Sequence, residues 1–419
     1  MREGWRRVTL GEVTQEQNLR VGDLSDRVAV LSSTKHHGLV RSDEYFKNRQ
    51  IYSADISGYK LVRRGWFSYA TNHLTEGSIG LQNLVDDGCV SPVYTVFSCS
   101  PEVDKGFMIR VLKSERMLGL YGLHDQASVD RRGAVRYSDF KDIEIDLPPL
   151  LEQRRIAEVL DEVDAQIQRL RSEDLKLGDL RESVLNVKLR GALEVLEATE
   201  VSHMAEHVDQ TMGSFRFVLL GSLLAGIDAG HSPDLEDKPA GAGQWGVLKV
   251  SAVGREGFRP LENKRVESAD LVDASLEVRK GDLLMTRANT PGLVGLSCVV
   301  GEVRPGLMLS DKTLRLNLAC RDDDPRFLDA ILRQSALRRQ IEIAATGTSS
   351  SMKNISQDSI RKLVVPWVNS SVQTSILAPV AAIQEKRDLL RREVVKLESV
   401  RKALTDDLFA GQVRVPPAL

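Results

Sequence analysis

The stretch LPPLLEQRRIAEVLDEVDAQI, residues 147–167, decides the fold because a second stretch, VPWVNSSVQTSILAPVAAIQEK at 365–386, lines up with it. Two extra residues enter the second copy near its start, and from Gln153 and Gln373 onward the offset is a constant 220. That period is about half of the 419 residues, so an internal repeat organises the chain. Ile156, Val163, Leu170, Leu177 and Val184 recur every seven residues, and Ile376, Ile383, Leu390, Leu397 and Leu404 are their counterparts. Leu160 and Ile167, then Val380 and Val394, fill the intermediate places, while Asp174, Arg181, Arg387 and Arg401 interrupt the pattern. A stripe held over about five heptads predicts two long helices that pair as a coiled coil. Two amphipathic helices on separate cores would give the same stripe. Gly191 and Gly411 follow the stripes where a left-handed cap favours glycine. Pro379 stands where the first copy has Val159, which predicts a kink or break near Ala378.

Upstream of each helix lies a domain-sized segment, and these segments echo each other. Trp5–Gly11 answers Phe215–Gly221, RRGWFSYATN from Arg63 answers RKGDLLMTRAN from Arg279, and VSPVYTVF from Val90 answers LSDKTLRL from Leu309. VRYSDFKDIEIDLPP from Val135 answers KNISQDSIRKLVVPW from Lys353. Short alternating apolar runs separated by Gly, Pro and Asn predict mixed α/β domains rich in strands. The expected class is α+β, with domains at 1–146 and 215–364, long helices at 147–190 and 365–419, and a linker at 191–214.

A hydrophobic fraction of 42% with 28% charged residues is that of a globular protein, and no apolar run approaches membrane-spanning length. MREGWRRVTL lacks the apolar core of a secretory signal, so the expected location is the cytoplasm. Cys89, Cys99, Cys298 and Cys320 show no C-x-x-C pairing and read as reduced thiols. The net charge of −2 is spread as 0 over 1–150, −6 over 151–210, +2 over 211–364 and +2 over 365–419. Any nucleic-acid surface is therefore a local patch, or a partner supplies most phosphate contacts.

His203-Met204-Ala205-Glu206-His207 has the letters of a zinc-peptidase motif, but no apolar helical face surrounds it. Pro233-Asp234-Leu235-Glu236-Asp237-Lys238 has the letters of a metal-dependent nuclease signature crowded into six residues, which reads as a polar turn. Neither a phosphate-binding Walker loop nor an amino-methyltransferase N-P-P-Y run occurs. The chain is expected to be non-catalytic and to hold no metal. Base reading needs paired donors and acceptors, Arg or Lys for guanine and Asn or Gln for adenine. In the first domain Lys35, His36, His37, Arg41, Asn72, His73, Arg131 and Arg132 fit this need; in the second, Lys249, Arg255, Arg287, Asn289, Thr290, Thr348 and Lys353 do. Asn289 could instead hold a turn before Pro291.

Leu147 to Ala157, a hydrophobic-Pro-Pro-Leu followed by Glu-Gln-Arg-Arg-Ile-Ala, resembles the signature of Type I restriction-modification specificity subunits. The second copy keeps Val365-Pro366, Gln373 and Ile376 but loses the second proline and the Glu-Gln-Arg-Arg run. Gly281–Leu284, Arg287–Asn289 and Leu309–Asp311 look like parts of that family's target recognition domains. The resemblance implies two such domains alternating with two helices in an antiparallel coiled coil, with pseudo-two-fold symmetry. It implies that each domain reads half of a split site in double-stranded DNA. The helices, whose pairing and partner positions are Ile156, Leu160, Val163, Ile167, Leu170, Ile376, Val380, Ile383 and Leu390, would set the gap and dock two methylation subunits. Restriction subunits would complete the complex, and SAM, ATP and Mg²⁺ would belong to the partners. A coiled-coil adaptor without DNA contact and a self-contained metal-dependent nuclease are the competing readings.

Overall fold

The computed structural model describes residues 4–47, 51–124, 134–347 and 352–413. The chain divides into two compact units, Met1–Glu173 with Leu390–Leu419, and Asp174–Leu389. Two long helices, Leu150–Ala198 and Ser370–Phe409, each contribute a stretch to both units.

In the first unit Arg6–Thr9 pairs antiparallel with Glu144–Leu147, Arg6 opposite Leu147 and Thr9 opposite Glu144. Pro148 and Pro149 cannot extend that ladder, and the long helix starts at Leu150. An antiparallel sheet follows in the order Thr14–Glu16, Tyr94–Cys99, Phe67–Ala70, Ile79–Leu81, and a mixed one in the order Gly38–Arg41, Ala29–Thr34, Asp87–Val90, Lys60–Arg63. Alternation along Tyr94–Cys99 serves two cores. Phe97 stacks on Phe67 with centroids 5.1 Å apart, whereas Val96 packs with Leu31, Val62 and Val90. Ile156, Ala157 and Leu160 of the first long helix join the Phe97 core, and so do Leu404, Leu408 and Phe409 of the second. Each fully buried Leu or Phe stabilises by about 1.5–3 kcal/mol, so both helices are anchored by the domain itself.

The second unit is built from a similar series of elements. Phe215–Leu219 pairs with Val364–Trp367, Arg216 opposite Trp367 and Leu219 opposite Val364. The antiparallel sheet runs Leu224–Ala229, Thr313–Leu318, Leu283–Thr286, Ser297–Val299, and a second sheet runs Asn263–Arg265, Gly246–Leu248, Leu307–Met308. Its main core takes Leu185, Leu189, Ala192, Leu193 and Leu196 from the first long helix and Ile376, Leu377 and Val380 from the second. Each of the four paired sequence echoes contributes to a strand in its own unit: Arg6–Thr9 and Phe215–Leu219, Phe67–Ala70 and Leu283–Thr286, Tyr94–Cys99 and Thr313–Leu318, Glu144–Leu147 and Val364–Trp367. Glycine is required at Gly221, where a Cβ would sit 2.9 Å from Cβ and 3.0 Å from the carbonyl oxygen of Arg361. At Gly11 it would meet the Lys141 carbonyl oxygen at 3.2 Å.

Three boundaries differ from expectation. The first long helix does not stop at Gly191 but runs to Ala198, because Ala192, Leu193 and Leu196 are buried in the second unit's core and outweigh the roughly 1 kcal/mol helix cost of glycine. Residues 191–214 are therefore not a linker: beyond the helix come a 3-10 segment at Val201–His207, with Met204 buried, and a strand at Thr211–Met212 beside Phe215–Leu219. Nor does the second helix break at Pro379, since Leu377 and Val380 on either side are both core residues. Gly411 does take a left-handed conformation at φ 67°, with Gln412 N–H donating to the Asp407 carbonyl at 2.9 Å.

The charges that interrupt the stripes are paired. In the second unit Arg387 Nε lies 2.8 Å from Asp174 Oδ1, both side chains largely buried. In the first unit Arg401 contacts Asp164, which Arg110 also holds at 2.9 Å, and Arg171 contacts Glu398. Arg181 pairs along its own helix with Glu182 at 2.9 Å. Ile156, Leu160, Ile167, Leu170, Ile376, Val380 and Leu390 are buried, while Val163 and Ile383 are half-buried.

Candidate nucleic-acid interface

In the first unit Lys35, His36 and His37 are exposed on the turn between Ala29–Thr34 and Gly38–Arg41. The turn is held from inside: Thr34 Oγ1 accepts from His37 N–H at 2.9 Å, and Lys113 Nζ donates to the Lys35 carbonyl at 3.1 Å. Burial pushes the Lys113 ammonium below its ordinary range. Ser33 Oγ bonds Ser78 Oγ at 2.7 Å, and Ser78 N–H donates to the His73 carbonyl at 3.1 Å, which brings the exposed Asn72-His73 turn to the same hairpin. His73 Nδ1 is 3.1 Å from Glu76 Oε1. Arg41 is engaged by Asp43 at 3.1 Å and Glu44 at 2.9 Å. Val135 N–H donates to the Thr71 carbonyl at 3.0 Å. Arg131 and Arg132 lie outside the described residues.

In the second unit a short arch gathers several expected residues. Ala288–Asn289 pairs antiparallel with Lys353–Asn354, Asn289 opposite Lys353. Arg287 shares the arch through its backbone, its N–H donating to the Lys312 carbonyl at 2.8 Å and its carbonyl accepting from Ile355 at 3.0 Å. Its guanidinium is exposed and makes no ion pair among the described residues. Asn289 Oδ1 accepts from Thr290 N–H at 2.8 Å, so Asn289 does hold the turn before Pro291. Arg255 Nη2 reaches the Gly292 carbonyl at 3.4 Å, and Lys353 Nζ the Gly347 carbonyl at 2.7 Å. Burial pushes the Asp311 carboxyl up, but the Ser232 hydroxyl, Lys312 and the charge of Arg287 together hold it below the usual carboxylate range. Lys249 does not join this group, because Asp237 holds its ammonium in an ion pair. Thr348 lies outside the described residues.

Two arginines that carry no sequence signal underlie the arch. Arg338 Nη2 donates to the Val294 carbonyl at 2.7 Å, and Arg333 Nη1 to the Arg255 carbonyl at 2.6 Å while its Nε holds Asp329 at 3.0 Å. Burial, with Arg255 and Arg333 nearby, pushes the Arg338 guanidinium down. Arg333 caps the helix Pro325–Leu332 and Arg338 lies in the next one, Ser335–Ala344; both helices are marked in the sequence only by their apolar spacing.

The other motifs are tied into local contacts. His203 and Glu206 lie 3.4 Å apart, and His207 Nε2 meets Thr199 Oγ1 at 3.0 Å. Glu236 pairs with Lys238 at 2.6 Å. Among the described residues no cluster of three His, Cys, Asp or Glu side chains could hold a metal, and no helix is long and apolar enough to cross a membrane.

Residues 110–177 match the family described as the Type I restriction modification DNA specificity domain. Over 190 residues, 45% of this chain, the sequence is 30% identical to the Type I restriction enzyme EcoEI specificity subunit of Escherichia coli, of which 32% is covered. Over 67% of this chain it is 24% identical to the EcoKI specificity subunit of Escherichia coli strain K12, of which 59% is covered. The matched part thus spans about a third to three-fifths of these relatives' lengths. A crystal structure of a Type-I restriction-modification system S subunit from M. genitalium superposes over 97% of this chain and 96% of that chain, with TM-score 0.52 and 15% identity, a likeness of fold.

Proposed function

We propose that the chain is the DNA-reading component of a Type I restriction-modification complex, a reading supported by its similarity to Type I specificity subunits. Each recognition domain, 1–146 and 215–364, reads one half of a bipartite target in double-stranded DNA. The long helices pair as an antiparallel coiled coil, set the spacer and dock two methylation subunits, with restriction subunits joining the full assembly in the cytoplasm. Methyl transfer with SAM, and translocation and cleavage with ATP and Mg²⁺, are the partners' chemistry; this chain contributes recognition.

The observation that carries the reading is the arch at Arg287–Asn289. An exposed Arg287 guanidinium, with two parallel donors, and the half-buried amide of Asn289 lie on one short segment whose backbone is pinned by strand pairing to Lys353–Asn354. That donor geometry suits the O6 and N7 acceptors of guanine in the major groove. Helix pairing is supported by the ion pairs within each unit: Asp164 with Arg401 and Arg171 with Glu398 in one, Asp174 with Arg387 in the other. Within the first unit the partner positions fall from Arg401 to Glu398 as they rise from Asp164 to Arg171, the order that opposed directions produce. The duplication is supported by the matching strand series of the two units.

Methylome sequencing of cells expressing the chain with its methylation subunit tests the proposal. A split motif is expected, and replacing residues 5–140 with the matching domain of another specificity subunit should change one half of it. Absence of a split motif, or a change in both halves, would overturn the reading. An adaptor without DNA contact would leave the motif unaltered by any change to the arch.

A further inference from the structure

Two glutamines occupy the same place at the root of each long helix, and neither is explained by DNA contact or by apolar packing. Gln153 and Gln373 are 1% and 0% exposed. Gln153 Oε1 accepts from Asp104 N–H at 2.8 Å, and its Nε2 donates to the carbonyls of Glu102 at 3.0 Å and Pro148 at 2.8 Å. Gln373 Oε1 accepts from Asp324 N–H at 2.9 Å, and its Nε2 donates to Asp323 Oδ1 at 2.9 Å and the Val368 carbonyl at 2.9 Å. Asp104 and Asp324 are themselves N-caps, accepting from Phe107 N–H at 2.9 Å and Arg326 N–H at 2.8 Å to start the helices Lys105–Leu112 and Pro325–Leu332.

One buried amide in each unit therefore joins three things: the strand exit, the first turn of the long helix and the capped end of a domain helix. Apolar contacts resist separation but are non-directional. A fully satisfied buried amide fixes orientation, since a rotation leaves a buried donor or acceptor unpaired, which is costly away from water. A domain of about 150 residues is roughly 35–40 Å across, so a tilt of about 5° at its root displaces the far edge by about 3.4 Å, one base-pair step.

We propose that Gln153 and Gln373 are positioning residues that hold each recognition domain at a fixed angle on its long helix and so enforce a single spacer length between half-sites. This rests on the split-target reading above. The test is DNA methylation by the chain in complex with its methylation subunit, on targets carrying the cognate spacer or one base pair more or fewer. Gln153→Met keeps the volume and removes the bonds. It should keep both half-site sequences while the preference for the cognate spacer falls at least tenfold, and Gln373→Met should do the same independently. Val111→Ala, in the same core as the Gln153 root, should lower thermal stability yet leave the preference unchanged. The proposal is overturned if the glutamine variants keep wild-type spacer preference, if they blur a half-site instead, or if Val111→Ala relaxes the spacer equally. Failure of both glutamine variants to fold would also overturn it, by making the amide a folding requirement. A wild-type complex without any split target would instead remove the premise.

Discussion

Removing Asp174 strands the most buried arginine of the two long helices. Arg387 has a side chain 8% exposed, sits 2.8 Å from Asp174, and has a further acceptor in Glu256 at 3.5 Å, itself 61% exposed. The guanidinium lies over Gly178, where even a Cβ would be 3.3 Å away, so little room exists for it to swing out. Breaking one partner of a buried pair costs about 3–5 kcal/mol, whereas replacing both by apolar residues of similar volume is often neutral or stabilising by about 1–4 kcal/mol. Asp174→Ala should therefore destabilise by about 3–5 kcal/mol, and Asp174→Leu with Arg387→Leu should recover most of that by completing the stripe. Native-state hydrogen exchange over residues 174–196 reads the effect locally. At about 1.4 kcal/mol per decade, exchange in Asp174→Ala should quicken by roughly two to nearly four orders of magnitude. The reasoning fails if Asp174→Ala exchanges within tenfold of wild type, or if the double substitution is as labile as the single one.

Arg287→Ala should weaken or relax only the second half-site, by about 1–3 kcal/mol for a bidentate base contact; equal loss at both halves in a binding assay would refute the assignment. Gly221→Ala should lower the melting temperature markedly, because its Cβ would meet Arg361 at 2.9 Å, and unchanged melting would show that the backbone yields there at no cost. Burial pushes the Cys89 and Cys298 thiols up to about 12, while Cys320 is exposed. Alkylation of the folded chain at pH 8 should thus mark Cys320 and spare Cys89 and Cys298, checked by peptide mass mapping. Inserting about 7 residues at equivalent points of both long helices keeps the heptad register and adds about 10 Å; the methylated motif should gain about 3 base pairs of spacer, and an active variant with an unchanged spacer would refute the ruler.

The parts of the fold that a sequence can display are those set by periodicity and by local stops. The 220-residue offset, the heptads and the alternating strands are of this kind, and the structure places strands and helices on them. Gly191 and Pro379 mislead for the same reason. Each is a local breaker whose effect is decided by long-range burial of Leu193, Leu196, Leu377 and Val380, and intrinsic propensity is weak against tertiary packing. The seam charges were equally opaque, since Asp174 and Arg387 read as separate interruptions until they are brought opposite each other. At the interface a basic letter does not say whether its charge is already spent. Arg41 and Lys249 are held in ion pairs by neighbouring carboxylates, whereas Arg287, among the described residues, forms none. Arg333 and Arg338 act through backbone carbonyls 36 or more residues away, a contact that no spacing announces.

The proposed function asks a near-neutral chain to read DNA, a physical difficulty because affinity for duplex scales with the number of phosphates neutralised. On that proposal the charge pairing within the two units meets the difficulty. Much of their basic charge is committed internally, Arg315 to Asp228 and Asp282, Arg64 to Asp86, Arg7 and Arg116 to Asp146. Such pairs leave little net field to attract an arbitrary sequence. The side chains left at the two turns, Lys35 to His37 in one unit and Arg287 to Thr290 in the other, can then act where geometry and not bulk charge selects the contact. Phosphate contacts position a protein, and base contacts specify the sequence. On the proposed assignment the first task passes largely to the methylation subunits. Weak non-specific binding by the specificity chain alone is then an advantage, since the complete complex engages DNA only where both half-sites are read.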